Sequence, residues 1–114
     1  MTQDSSNPAY FEVASGERIT VTLQSVQCNC NTAAGFDGSA LNKSSSVPDV
    51  YQFPVVGASG AEKVFAGLCE FMAADPVTAH YTIGVGSEGG GNFKVPSVYK
   101  EVPHAGFQLY FDIS

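Results

Sequence analysis

The chain is expected to fold as one mainly β domain, an antiparallel β-sandwich over residues 10–114, with a flexible lead-in over 1–9 and one α-helix near 59–74. Three observations carry that expectation. Tyr81, Ile83 and Val85 fall two apart while His80, Thr82, Gly84 and Gly86 share the opposite parity, which is the pattern of a strand with one apolar face. Five glycines between Gly84 and Gly91 then end that strand in a tight turn, because glycine reaches positive φ freely. The chain closes on Phe107, Leu109, Phe111 and Ile113, alternating with Gln108, Tyr110 and Asp112, and an apolar face so regular must be paired and packed.

The remaining elements follow in order. Phe11 and Val13 begin a short edge strand. After a turn at Ser15-Gly16, Ile19, Val21 and Leu23 alternate with Arg18, Thr20, Thr22 and Gln24 as a half-buried strand. Ser25 is polar where an apolar residue is due, so a β-bulge is expected there, returning Val26, Cys28 and Cys30 to the core face. Residues 31–49 are rich in Ser, Ala, Gly and Asn and read as a long irregular loop, a feature that is usually functional or mobile. Residues 50–56 read as a strand with Tyr51, Phe53 and Val55 on one face, placed at a sheet edge because Pro54 has no amide to donate.

Ser59-Gly60-Ala61-Glu62 matches a helix-capping box, and Val64, Phe65, Leu68, Phe71 and Met72 follow at helical spacing until Asp75-Pro76. Gly67 weakens that helix by about 1 kcal/mol of propensity. Beyond the central strand and its glycine turn, residues 92–100 return beside it. About six short strands with Gly, Pro and Asn turns point to a sandwich or barrel.

Asp75, Thr78, Ala79, His80 and Tyr81 resemble the approach to strand F of immunoglobulin-like and fibronectin-type domains, where a corner tyrosine anchors to upstream backbone. The resemblance spans about ten residues and implies a sandwich of that outline. The chain has no Trp, and Ile83 stands where an immunoglobulin cysteine would be.

Composition narrows the function. Eleven acids against five bases give a net charge of −6, and Arg18, Lys43, Lys63, Lys94 and Lys100 are scattered, so a nucleic-acid partner is not expected. No apolar run approaches the ~20 residues of a membrane-spanning helix, and residues 1–8 carry no signal-peptide core. The expectation is a soluble protein whose low charge, 14% of residues, suits secreted or particle-associated proteins.

Gly84-Val85-Gly86-Ser87-Glu88-Gly89 spells GxGxxG, but proline-bearing extended chain follows where a phosphate-binding helix is needed. The odd count of three cysteines excludes a closed disulfide framework and leaves open a bridge from Cys28 or Cys30 to Cys69, or three thiols. With His80, Met72 or His104 the three cysteines offer soft ligands for a metal, without a known metal spacing. No GxSxG elbow occurs, and no pair of carboxylates is marked by spacing; among them Asp112 stands on the outward face of the last strand.

The function expected is a non-enzymatic binding or assembly module without cofactor, a self-associating structural or surface component with a protein partner. One alternative is a lectin-like domain binding a glycan through the 31–49 loop and the 84–92 turn. Its ligand-binding candidates are Asp37, Asn42 and Asp49 in the loop, Ser87, Glu88 and Asn92 at the turn, and Tyr99 and Tyr110 as stacking surfaces. Another is a small metal- or thiol-dependent protein using Cys28, Cys30, Cys69 and His80.

Overall fold

The computed structural model describes residues 1–29, 31–100 and 105–114. Ten strands occur there: β1 (Thr2–Gln3), β2 (Tyr10–Val13), β3 (Glu17–Val26), β4 (Thr32–Phe36), β5 (Ser39–Leu41), β6 (Asp49–Val55), β7 (Glu62–Cys69), β8 (His80–Ser87), β9 (Asn92–Tyr99) and β10 (Ala105–Ile113). They form a six-stranded sheet in the order β1-β2-β10-β7-β4-β5 and a four-stranded sheet in the order β6-β3-β8-β9. All pairings are antiparallel except β2 with β10, which run parallel.

The two sheets pack on each other through the side chains that the period-2 pattern marks. Ile19, Val21 and Leu23 of β3 and Tyr81, Ile83 and Val85 of β8 are buried from one side, and Phe11, Phe65, Leu109 and Phe111 from the other. Phe53, on the edge strand β6, stacks on Phe36 of β4 at 4.3 Å and on Phe65 of β7 at 5.4 Å, and meets Phe111 edge-on at 5.7 Å. Offset and edge-to-face aromatic pairs contribute about 0.5–1.5 kcal/mol each beyond the area they bury. β6 and β9 are the edges of the smaller sheet, and each carries a proline, Pro54 and Pro96, which lack the amide that would template further pairing.

Three expectations are corrected. The segment expected as a helix near 59–74 is strand β7, and no helix occurs among the described residues. Phe65, Gly67 and Cys69 are buried at period 2, and β7 is paired on both sides, with β10 and β4. Gly60, inside the supposed capping box, has φ +87° and donates its amide to the Ile113 carbonyl at 2.6 Å, so the backbone there is a turn into a sheet. The apolar spacing of Val64, Phe65 and Leu68 suits either structure; two waiting neighbours decide for the strand.

The 31–49 stretch is not one irregular loop, because β4 and β5 form a hairpin whose tip holds Asp37 and Gly38 at positive φ. The bulge expected at Ser25 is absent: β3 keeps unbroken register with β8 from Ile19 opposite Ser87 to Val26 opposite His80. Ser25 itself faces Tyr81, and the irregularity lies instead between β8 and β9, where Pro96 interrupts the ladder opposite Thr82. Within the stretch read as a lead-in, Thr2–Gln3 pairs with β2, and the Gln3 side-chain amide donates to the Pro8 and Lys94 carbonyls.

Candidate functional site

The outward face of the six-stranded sheet carries an arrangement that packing does not require. On β2, β10 and β7 the buried positions are Phe11, Val13, Leu109, Phe111, Ile113 and Phe65, so Tyr10, Glu12, Tyr110, Asp112 and Glu62 point away from the core. Register then aligns them across the sheet. Asp112 stands beside Glu12 on one side and beside Glu62 on the other, which makes one row of three carboxylates. Tyr110 stands beside Tyr10 in the adjoining row, with ring centroids 4.5 Å apart and planes within 14°. Among the described residues, no Lys or Arg occupies an outward position on these three strands.

Like charges on directly opposed residues destabilise a sheet. Two groups of this face, Glu62 and Tyr10, are shifted by their surroundings. Glu62 is held above the usual carboxylate range by desolvation, by sharing a hydrogen bond with the Asp112 carboxyl and by that group's charge. Tyr10 is likewise raised by desolvation and by Tyr110, Glu62 and Asp112 around it. A concavity of about 470 Å³ adjoins the row, lined by Gln3, Asp4, Tyr10, Glu12 and Asp112 among others.

Most of the sequence-derived candidates lie elsewhere and are not brought together. Asp37 pairs with Lys63 at 3.1 Å on the β4–β5 hairpin, and Asn42 is exposed beyond it. Asp49 is buried, accepting from the Thr32 hydroxyl at 2.7 Å and the Thr32 amide at 3.3 Å, with Lys43 at 3.3 Å. Ser87 donates to Glu17 and accepts from the Gly89 amide, Glu88 is exposed, and the Asn92 side chain lies over Gly86. Asp49 and Ser87 pair with Leu23 and Ile19, four residues apart on β3, so about 13 Å of strand separates the loop and turn candidates. Tyr99 stacks on His80 at 4.8 Å on the outer face of the smaller sheet. Of the eight, only Tyr110 belongs to the acidic face.

Cys69 is buried, and Cys28 Sγ lies 3.7 Å from the His80 carbonyl oxygen. Cys30 and His104 lie outside the described residues, so the bridges and metal sets that need them do too. Among the described residues, no three His, Cys, Asp or Glu side chains are placed to hold a metal ion, and no helix is long and apolar enough to cross a membrane.

Sequence reasoning missed Tyr10, Glu12 and Glu62. The first two were legible, since Phe11 and Val13 pointing inward forces their neighbours outward. Glu62 was hidden by its assignment to a helix cap. No known protein family, curated protein or solved structure matches the chain.

Proposed function

We propose that this protein is a non-enzymatic binding or assembly module, a β-sandwich of immunoglobulin-like outline that docks a cationic partner on the outer face of its six-stranded sheet. The row Glu12–Asp112–Glu62 carries the reading: three carboxylates sit side by side with no Lys or Arg paired to them among the described residues, at a stability disadvantage that a basic surface would relieve. The stacked Tyr10 and Tyr110 beside them supply rings suited both to apolar contact and to cation–π contact with Lys or Arg. The sandwich outline is supported by the packing of two sheets and by Tyr81, buried at the start of β8 against Phe71.

The test is titration with a lysine- and arginine-rich peptide, read by tyrosine fluorescence. Binding is expected to weaken steeply between low and physiological salt, as exposed charge pairs do. Glu12→Gln with Asp112→Asn is expected to weaken it tenfold or more. Binding that ignores salt and survives that double substitution would sink the proposal.

A further inference from the structure

The acidic face calls for a cationic surface, and the chain carries one on its opposite side. We propose that the occupant is a second copy of this chain, docked by the outer face of its four-stranded sheet, so that copies associate front to back. This rests on the acidic-face reading and names its partner.

Charge is the first support. Among the described residues, the outward positions of β6, β3, β8 and β9 include Arg18 and Lys94 and no carboxylate. Each outer face therefore carries the sign that the other lacks.

Gly84 is the second support. It lies mid-strand on β8 without a positive φ, opposite Thr22 on one side and Lys94 on the other. A Cβ added there would meet only the Thr22 carbonyl oxygen, at 4.0 Å. Neither backbone conformation nor packing requires glycine at this position, and glycine weakens a strand interior. Gly84 itself is in register with both neighbours, beyond the irregularity between Tyr81 and Ile83, and a strand glycine of this kind is suited to close approach by another surface. Its bare backbone opens two adjoining concavities of about 250 and 340 Å³, which share Thr22, Gly84 and Lys94. The hollow is bordered by hydroxyls and one ammonium group, so it suits amphipathic rings flanked by carboxylates, as Tyr10 and Tyr110 are.

The two faces lie on opposite sides of a two-layer molecule and cannot both be satisfied in an isologous dimer. The contact is heterologous, and repeating it generates a ring or an open filament.

Two sets of neutralising substitutions test this by sedimentation at low salt. One variant carries Glu12→Gln and Asp112→Asn; the other carries Gly84→Thr and Lys94→Gln. The wild-type mass is expected to rise with concentration and fall with salt. Each variant alone is expected to associate at least tenfold more weakly, and a one-to-one mixture is expected to form a dimer, since each supplies the face that the other lacks. Lys94→Gln alone, which leaves the backbone untouched, controls for folding and is expected to weaken association in the same direction. Absence of pairing in the mixture, or full association of the Gly84→Thr, Lys94→Gln variant, would overturn the front-to-back contact. Wild-type protein that stays monomeric yet binds the basic peptide would overturn this inference and leave the acidic-face reading standing. Protein that does neither would remove both.

Discussion

The Thr32 hydroxyl donates to the Asp49 carboxylate at 2.7 Å, joining β4 of one sheet to β6 of the other inside the protein. Its oxygen also lies 2.8 Å from the Tyr51 hydroxyl, so with the Thr32 proton committed to Asp49, Tyr51 is the donor of that second bond. Buried polar groups are tolerated only when satisfied, and each member of this set has its partner in the other sheet or beside it. The contact is a polar clasp within an otherwise apolar interior.

Thr32→Val keeps the shape and removes the hydroxyl, leaving the Asp49 carboxylate and the Tyr51 hydroxyl each short of a bond. A loss of about 1–3 kcal/mol is expected from stranding buried polar groups. Urea unfolding should show a lower midpoint with an unchanged slope. Thr32→Ser, which retains the hydroxyl, should recover most of the loss.

Two glycines in paired strands should respond oppositely to the same substitution. Gly67 faces Phe107 across the β7–β10 ladder, and a Cβ there would stand 2.4 Å from the ring. Gly67→Ala is therefore expected to destabilise by about 1–3 kcal/mol through overpacking. Combining it with Phe107→Leu should cost less than the sum of the two single changes. Gly84→Ala meets open space and is expected to stabilise by about 0.5–1 kcal/mol. Equal signs for the two substitutions in thermal or urea unfolding would contradict the packing described for Gly67 and Gly84.

Stability should vary with pH through two glutamates of opposite sense. Desolvation raises Glu17, but the Ser87 hydroxyl, the Ala14 amide and the chain's amino group outweigh it and hold Glu17 below the usual range. Its contribution is thus present above the unfolded glutamate pKa of about 4.3 and lost as pH falls through the lower folded value. Ser87→Ala should flatten that acid-side loss.

Glu62 works the other way. Its folded pKa is raised, so a penalty sets in as pH rises through about 4.3 and is complete above the folded value. Glu62→Gln should stabilise the protein at pH 7 and leave it unchanged near pH 3. Denaturant midpoints measured across that range for both variants give the check.

The strands with strict alternation were legible because a period of two is written in local sequence. β3, β6, β8 and β10 lie where Ile19–Leu23, Tyr51–Val55, Tyr81–Val85 and Phe107–Ile113 place them, and Pro54 correctly marks β6 as an edge. β7 was misread because Val64, Phe65 and Leu68 satisfy a helical period as well as a strand's, and Gly67 counts against both. What makes Gly67 acceptable is the Phe107 ring lying over it, a residue forty positions along the chain. The β4–β5 hairpin was hidden by small residues, Ala33, Ala34 and Gly35, which carry no periodic signal.

The candidate face divides in the same way. Tyr110 and Asp112 are outward by the parity of the last strand, and Tyr10 and Glu12 by that of Phe11 and Val13, all from sequence alone. Their meeting is not local. Parallel pairing of β2 with β10 aligns Glu12 with Asp112, a hundred residues apart, and antiparallel pairing of β7 with β10 brings Glu62 to the other side. By itself the sequence determined which side chains face inward on β2, β3, β6, β8 and β10, because burial alternates along those strands. Which outward side chains became neighbours was decided only by tertiary structure, because strand order and register depend on how two whole sheets close over one core.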